Sequence, residues 1–414
     1  MGIKNRLILM NFLQFFVWGA WLITIANYWF GTKQWGGAEF GAIFSTLGIA
    51  SLFMPTLMGI IADRWVNAEK LYGILHILSG FAIFYCAQVN NPDTFFWVML
   101  IAMSFYMPTI SLANSISYNA LKNNNLDVVK VFPPIRVWGT IGFILAMWVT
   151  NLSGNKATEF QFYISAIGSI VLGAYSFSLP KCLPQKQTSG KSSWIELFGL
   201  NAFKLFANYK MLLFFVFSMF LGAALQLTNM YGDTFLDDFK KVPEFAGSFV
   251  VRYSTIIMSI SQISETLFIL AIPFFLKKFG IKKVMLMSMI AWVLRFGLFA
   301  YGNPANGLWM IILSCIVYGM AFDFFNISGS LFIETNTDPK IRSSAQGLFM
   351  MMTNGFGAIS GSFISGIIIQ NYFTIDGNKN WHGIWICFAA YSLVVAILFA
   401  IFFKHKHDPN AIKL

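Results

Sequence analysis

Long apolar runs separated by short polar breaks make up nearly the whole chain. A helix needs roughly 20 apolar residues to cross the hydrocarbon layer of a bilayer. On that rule the sequence divides into twelve spans, near residues 5–30, 38–62, 70–88, 95–121, 132–152, 160–180, 211–234, 248–276, 281–301, 307–333, 343–370 and 383–403. The longest connection, 181–210, separates the sixth span from the seventh. Its Lys/Gln/Ser-rich beginning, PKCLPQKQTSGKSS, reads as a flexible cytoplasmic linker between a bundle at 1–180 and a bundle at 211–414. The pattern predicts an all-α polytopic membrane protein of twelve transmembrane helices in two six-helix bundles.

Against this apolar background a few polar side chains stand out. Between Arg295 and Glu334 the only Asp, Glu, Lys or Arg is Asp323, within YGMAFDFFN at 318–326. A carboxylate at such depth costs several kcal/mol or more unless it is paired, hydrated or protonated, so it marks a functional site by default. Gln226 and Asn229 in the seventh span are three residues apart and share a helix face, and Gln262 and Glu265 repeat that spacing in the eighth. Tyr318, Phe322 and Asp323 occupy one broad face of the tenth. In the fifth, PPIRVWGTIGF puts Arg136, Thr140 and Phe143 on one side.

Each has a plainer alternative. Asp323 or Glu265 can pair with an intramembrane arginine. Arg136, just after Pro133 and Pro134, can snorkel to the headgroups. Amides serve as interhelical glue, and aromatics at helical spacing pack. Arg295, toward the outer end of its span, reads as structural. Gly357 and Gly361, four apart in the eleventh span, permit close helix packing, while Pro55, Pro108 and Pro273 can kink their helices.

Composition agrees with the pattern. Of 414 residues 57% are hydrophobic, 18% aromatic and 11% charged, which is more apolar surface than one soluble core hides. The excess of 28 Lys+Arg over 17 Asp+Glu lies in short loops rather than along one face, so it points to membrane topology and not to nucleic acid. Twenty of the basic residues fall on the side of both termini and six on the other, with Arg136 and Arg295 inside spans, which predicts cytoplasmic termini. The first apolar run is too long for a signal-peptide core and lacks a small-residue cleavage site. Cys86, Cys182, Cys315 and Cys387 have neither disulfide-framework nor metal spacing, and His76, His382, His405 and His407 form no constellation with acids. No enzyme, metal or organic cofactor is implied.

Amides donate and accept like the edge of a base, Arg and carboxylates suit hydroxyls, and Phe and Tyr offer flat apolar faces. Together they fit a small, neutral, partly aromatic and polyhydroxylated molecule; a nucleoside qualifies well, and a sugar fits the amides and acids. The two-bundle layout resembles the major facilitator superfamily, and Gly59, Asp63 and Arg64 in GIIADRW resemble its loop motif, although the usual Gly-Arg-Arg/Lys continuation is absent. The strings NFLQFFVWGAWL, FPPIRVWGTIGF, SMFLGAALQLTNM, SISQISETLFIL, YGMAFDFFNISGS and SAQGLFMMMTNGFG resemble the bacterial nucleoside:proton symporter family over nearly the whole chain.

The resemblance implies a nucleoside importer of the bacterial inner membrane, working by alternating access on substrates such as uridine or adenosine. It implies that Arg136, Thr140, Phe143, Gln226, Asn229, Gln262, Glu265, Tyr318, Phe322 and Asp323 line a central pocket, with Asp323 and Glu265 as candidates for proton coupling. Its partners would be the nucleoside, protons and the lipid bilayer, with no protein partner evident. A proton-coupled sugar transporter on the same fold is the nearest rival; an integral-membrane enzyme or a non-transporting sensor stands further off.

Overall fold

A computed structural model describes residues 2–184, 200–338 and 341–406. It divides into two compact units, Met1–Phe198 and Gly199–Leu414. Half of the expected linker, 185–199, lies outside the described residues.

The first unit holds α1 (Ile3–Gly19), α2 (Gly37–Arg64), α3 (Ala68–Cys86), α4 (Pro92–Asn123), α5 (Val128–Leu152) and α6 (Phe160–Ser176). The second opens with a 3-10 helix at Leu200–Ala207, followed by α7 (Tyr209–Asp238). The run Ser254–Tyr301 is interrupted at Gly280, whose φ of 78° and ψ of 167° suit a residue without Cβ, and so forms α8 (254–279) and α9 (281–301). There follow α10 (Leu308–Asn336), α11 and α12 (Trp381–Phe402). Within α11, a π-helical segment Met351–Gly357 lies between Arg342–Met350 and Ala358–Tyr372. A hairpin pairing Thr374 with Lys379 precedes α12.

The first span differs from the expected single helix. It is regular only to Gly19, then turns and becomes π-helical at Asn27–Thr32. A side chain competes with the ladder there, since Thr150 Oγ1 donates to the Ala20 carbonyl at 3.0 Å, and Thr24 Oγ1 ties the segment to α6 by donating to Gln161 Oε1 at 2.9 Å. The chain leaving α6 is pinned to the start of α3, because the Ala68 amide donates to the Cys182 carbonyl and the Cys182 amide to buried Glu69 Oε2 at 2.8 Å. Burial, with Glu69 and Asp63 nearby, pushes the Cys182 thiol above its ordinary value. All four cysteines are free.

Large apolar side chains are exposed on the outer helix faces, while small polar ones are buried beside the apolar core between helices. On α8, Leu267, Leu270 and Phe274 are 63%, 77% and 61% exposed, whereas Ser261 and Ser264 are buried. Helices in lipid gain little from burying leucine and associate through close packing and hydrogen bonds. Small residues supply the packing here. A Cβ on Gly142 of α5 would collide with the Phe12 carbonyl of α1, and one on Gly222 of α7 with the Thr353 carbonyl of α11. Gly357 and Gly361 lie against Met219 and Ala223 of α7, as their spacing predicts. Serine hydroxyls supply the bonds: Ser264 of α8 donates to the Ile316 carbonyl of α10, and Ser288 of α9 to that of Ala321.

Gly222→Ala is expected to cost roughly 1–3 kcal/mol by overpacking against Thr353, read as a lower melting temperature in detergent. Gly247→Ala, which meets nothing within 4 Å, should leave the melting temperature unchanged.

Candidate functional site

In the first unit, half-buried Arg136, Thr140 and Phe143 of α5 stand beside α1. The Arg136 guanidinium lies 3.9 Å over the ring of Phe15, a cation–π contact. Gly139 makes room for it: a Cβ there would sit 2.6 Å from Arg136 Nη1 and 2.7 Å from the Phe15 ring. Trp18, one turn further along α1, meets Phe143 edge-on at 6.4 Å and Tyr106 at 5.8 Å, and its buried Nε1 has no hydrogen-bond partner.

A buried polar network underlies these rings. Gln14 Nε2 donates to Thr109 Oγ1 at 2.9 Å, while Gln14 Oε1 receives Tyr72 OH at 2.7 Å and faces His76 Nε2 at 2.8 Å. Tyr106 OH donates to the Gln14 carbonyl at 2.7 Å. The net ties α1, α3 and α4 together and fixes the helix that presents Phe15 and Trp18. Sequence reasoning missed these two residues; their signal was Gln14, a polar residue four positions before a tryptophan in an apolar run.

In the second unit, α7 carries Gln226 and Asn229, α8 carries Gln262 and Glu265, and α10 carries Tyr318, Phe322 and Asp323. Asp323 is 5% exposed, and its Oδ2 is buried without a hydrogen-bond partner. Glu265 is half-buried and within electrostatic reach of Asp323 and of Tyr318. The side-chain oxygens of Gln226 and Gln262 are also buried and make no hydrogen bond to a neighbouring helix. Buried polar atoms left unsatisfied are rare and call for a cause; a ligand that supplies the missing donors is one. Tyr318 and Phe322 are parallel, 8° apart in plane and 6.0 Å between centroids, with Trp292 of α9 edge-on to Tyr318 at 5.9 Å.

Arg295 does not form the ion pair that the sequence left open. It is fully buried, and its partners are neutral: Nε donates to Thr228 Oγ1 at 3.2 Å and Nη1 to the Ser314 carbonyl at 2.7 Å. Beside Phe322 a small cleft opens among α7, α9, α10 and α11, with Asn326, Thr353 and Asn354 in its lining. Asn326 and Asn354 were also missed. Asn354 sits in the π-helical stretch, where α-helical spacing no longer tells which way a residue faces.

The model of the family described as "Nucleoside H+ symporter" matches residues 1–408. The chain belongs to this family. It is 52% identical to the nucleoside permease NupG of Escherichia coli K12 over 408 residues, 98% of this chain and 97% of that one. It is also 52% identical to the xanthosine permease of Escherichia coli K12 over 414 residues, 100% of this chain and 99% of the other. The crystal structure of the nucleoside transporter NupG as a D323A mutant superposes with a TM-score of 0.95 at 52% identity, covering 97% of this chain and 100% of that one. The chain is thus a multi-pass membrane transporter with the expected all-α fold, and not an enzyme.

The Gly139 cradle yields an expectation within this family. Gly139→Val should push the Arg136 guanidinium off Phe15 and lower nucleoside uptake toward the level of Arg136→Ala. Uptake at the wild-type rate, at equal abundance in the membrane, would show that the stack is incidental.

Proposed function

We propose that the protein imports nucleosides together with protons across the bacterial inner membrane, with both termini cytoplasmic, the two bundles alternating access to a shared central site. The ten residues on α5, α7, α8 and α10 named above bind the nucleoside, with aromatic rings against its base or ribose and amides at its polar edges. Asp323 and Glu265 are the candidates for the coupled proton, and no metal or organic cofactor takes part. The observation that carries the reading is Asp323 itself: a carboxyl on a span, almost wholly buried, with an oxygen no protein group satisfies, one residue from a parallel Tyr318–Phe322 pair.

Coupling requires that the protonated state bind nucleoside better, because a ligand without differential affinity shifts no equilibrium. A proton on Asp323 removes the charge that low-dielectric surroundings penalise, and makes the carboxyl a hydrogen-bond donor to the sugar or base. Release follows when the cavity opens to the cytoplasm and water rehydrates the carboxylate. Identity is equal, at 52%, to a nucleoside permease and to a xanthosine permease, so the substrate screen has to span purine and pyrimidine nucleosides.

The test is proton-gradient-dependent uptake by the purified protein in liposomes, screened with uridine, adenosine, xanthosine, free bases and sugars. Nucleosides, not sugars, should compete with labelled uridine. Asp323→Asn should abolish accumulation against a gradient; unchanged uphill uptake by that variant would remove Asp323 from the coupling step.

A further inference from the structure

Arg295 is the one fully buried cation among the described residues of the second unit, and none of the roles assigned above uses it. A buried charge in a membrane span is costly, and such residues are kept for a purpose. Its surroundings show what it holds. The guanidinium carbon lies 4.7 Å from the centroid of Tyr318 and 5.0 Å from that of Phe299, so the group is placed over both rings. Thr228 of α7, Ser261 of α8 and the Ser314 carbonyl of α10 aim it, at 3.2, 3.4 and 2.7 Å. Ser314 Oγ donates back to the Arg295 carbonyl at 2.9 Å. Nη2 is buried without a hydrogen-bond partner, the Cys315 thiol lies nearby, and the two rings complete the setting of the group.

We propose that Arg295 is a positioning residue for the nucleoside site, acting through Tyr318. Arg295, Trp292 and Phe322 hold the Tyr318 ring, and of these only Arg295 is a cation. The cation attracts the electron-rich face of the ring and withdraws density from the phenol, which makes the Tyr318 hydroxyl a stronger donor toward an acceptor on the nucleoside. A guanidinium suits this because it is planar and carries its donors in a fixed fork; a lysine has a point charge and neither feature. The inference rests on the nucleoside-import reading and adds to it a residue that never touches substrate.

The experiment is a double-mutant cycle on uridine uptake in liposomes, with Arg295→Lys, Tyr318→Ala and the two combined, and with wild type assayed first. Wild type inactive on every nucleoside would defeat the import reading before the cycle begins. With wild type active, Arg295→Lys should raise KM roughly three- to tenfold with kcat within about twofold, and should add nothing in the Tyr318→Ala background. Should Arg295→Lys fail to reach the membrane, Thr228→Val, which removes one bond aiming the guanidinium, should raise KM in the same Tyr318-dependent way. An unchanged KM in whichever variant is recovered, or penalties that multiply with that of Tyr318→Ala, would overturn the proposal.

Discussion

A polar group placed where water is scarce has to be satisfied by the protein or left at a cost of several kcal/mol. Most such groups in this chain are satisfied. Gln14 uses both ends of its amide, and the hydroxyls of Ser264, Ser288 and Ser314 each reach a carbonyl on a neighbouring helix. Among the buried atoms left without a hydrogen bond, Asp323 Oδ2, Gln226 Oε1, Gln262 Oε1 and Trp18 Nε1 fall on or beside the residues expected to meet substrate.

Close helix approach is what brings scattered residues together within each unit. Gly142 against Phe12 sets α5 on α1 and so places Arg136 over Phe15. Gly319 packs against the backbone of Ser264, where a Cβ would lie 2.6 Å from its carbonyl oxygen, and this sets α10 on α8 with Asp323 and Glu265 on facing helices. Since lipid supplies no hydrophobic pull between helices, these contacts and the serine bonds carry both the fold and the site.

The class of fold and the acidic residues were legible because their signals are strong and local: twenty apolar residues in a row, or one carboxylate among thirty-seven neutral neighbours. What escaped depends on backbone departures or on neighbours distant in sequence. At the first span's irregular end the Ala20 carbonyl is taken by Thr150 from another helix, which no periodicity reveals. Arg295 looked peripheral because its place in the span says nothing of Tyr318 above it. Phe15 and Trp18 hid among aromatics, since only the Arg136 stack and the buried network tell them from ordinary packing.

A single glycine joins α8 to α9, and both helices are laced to α10 by hydroxyl bonds. The three are therefore tied to one another, and Asp323, Glu265, Arg295 and the stacked Tyr318–Phe322 pair all sit on this linked set of helices.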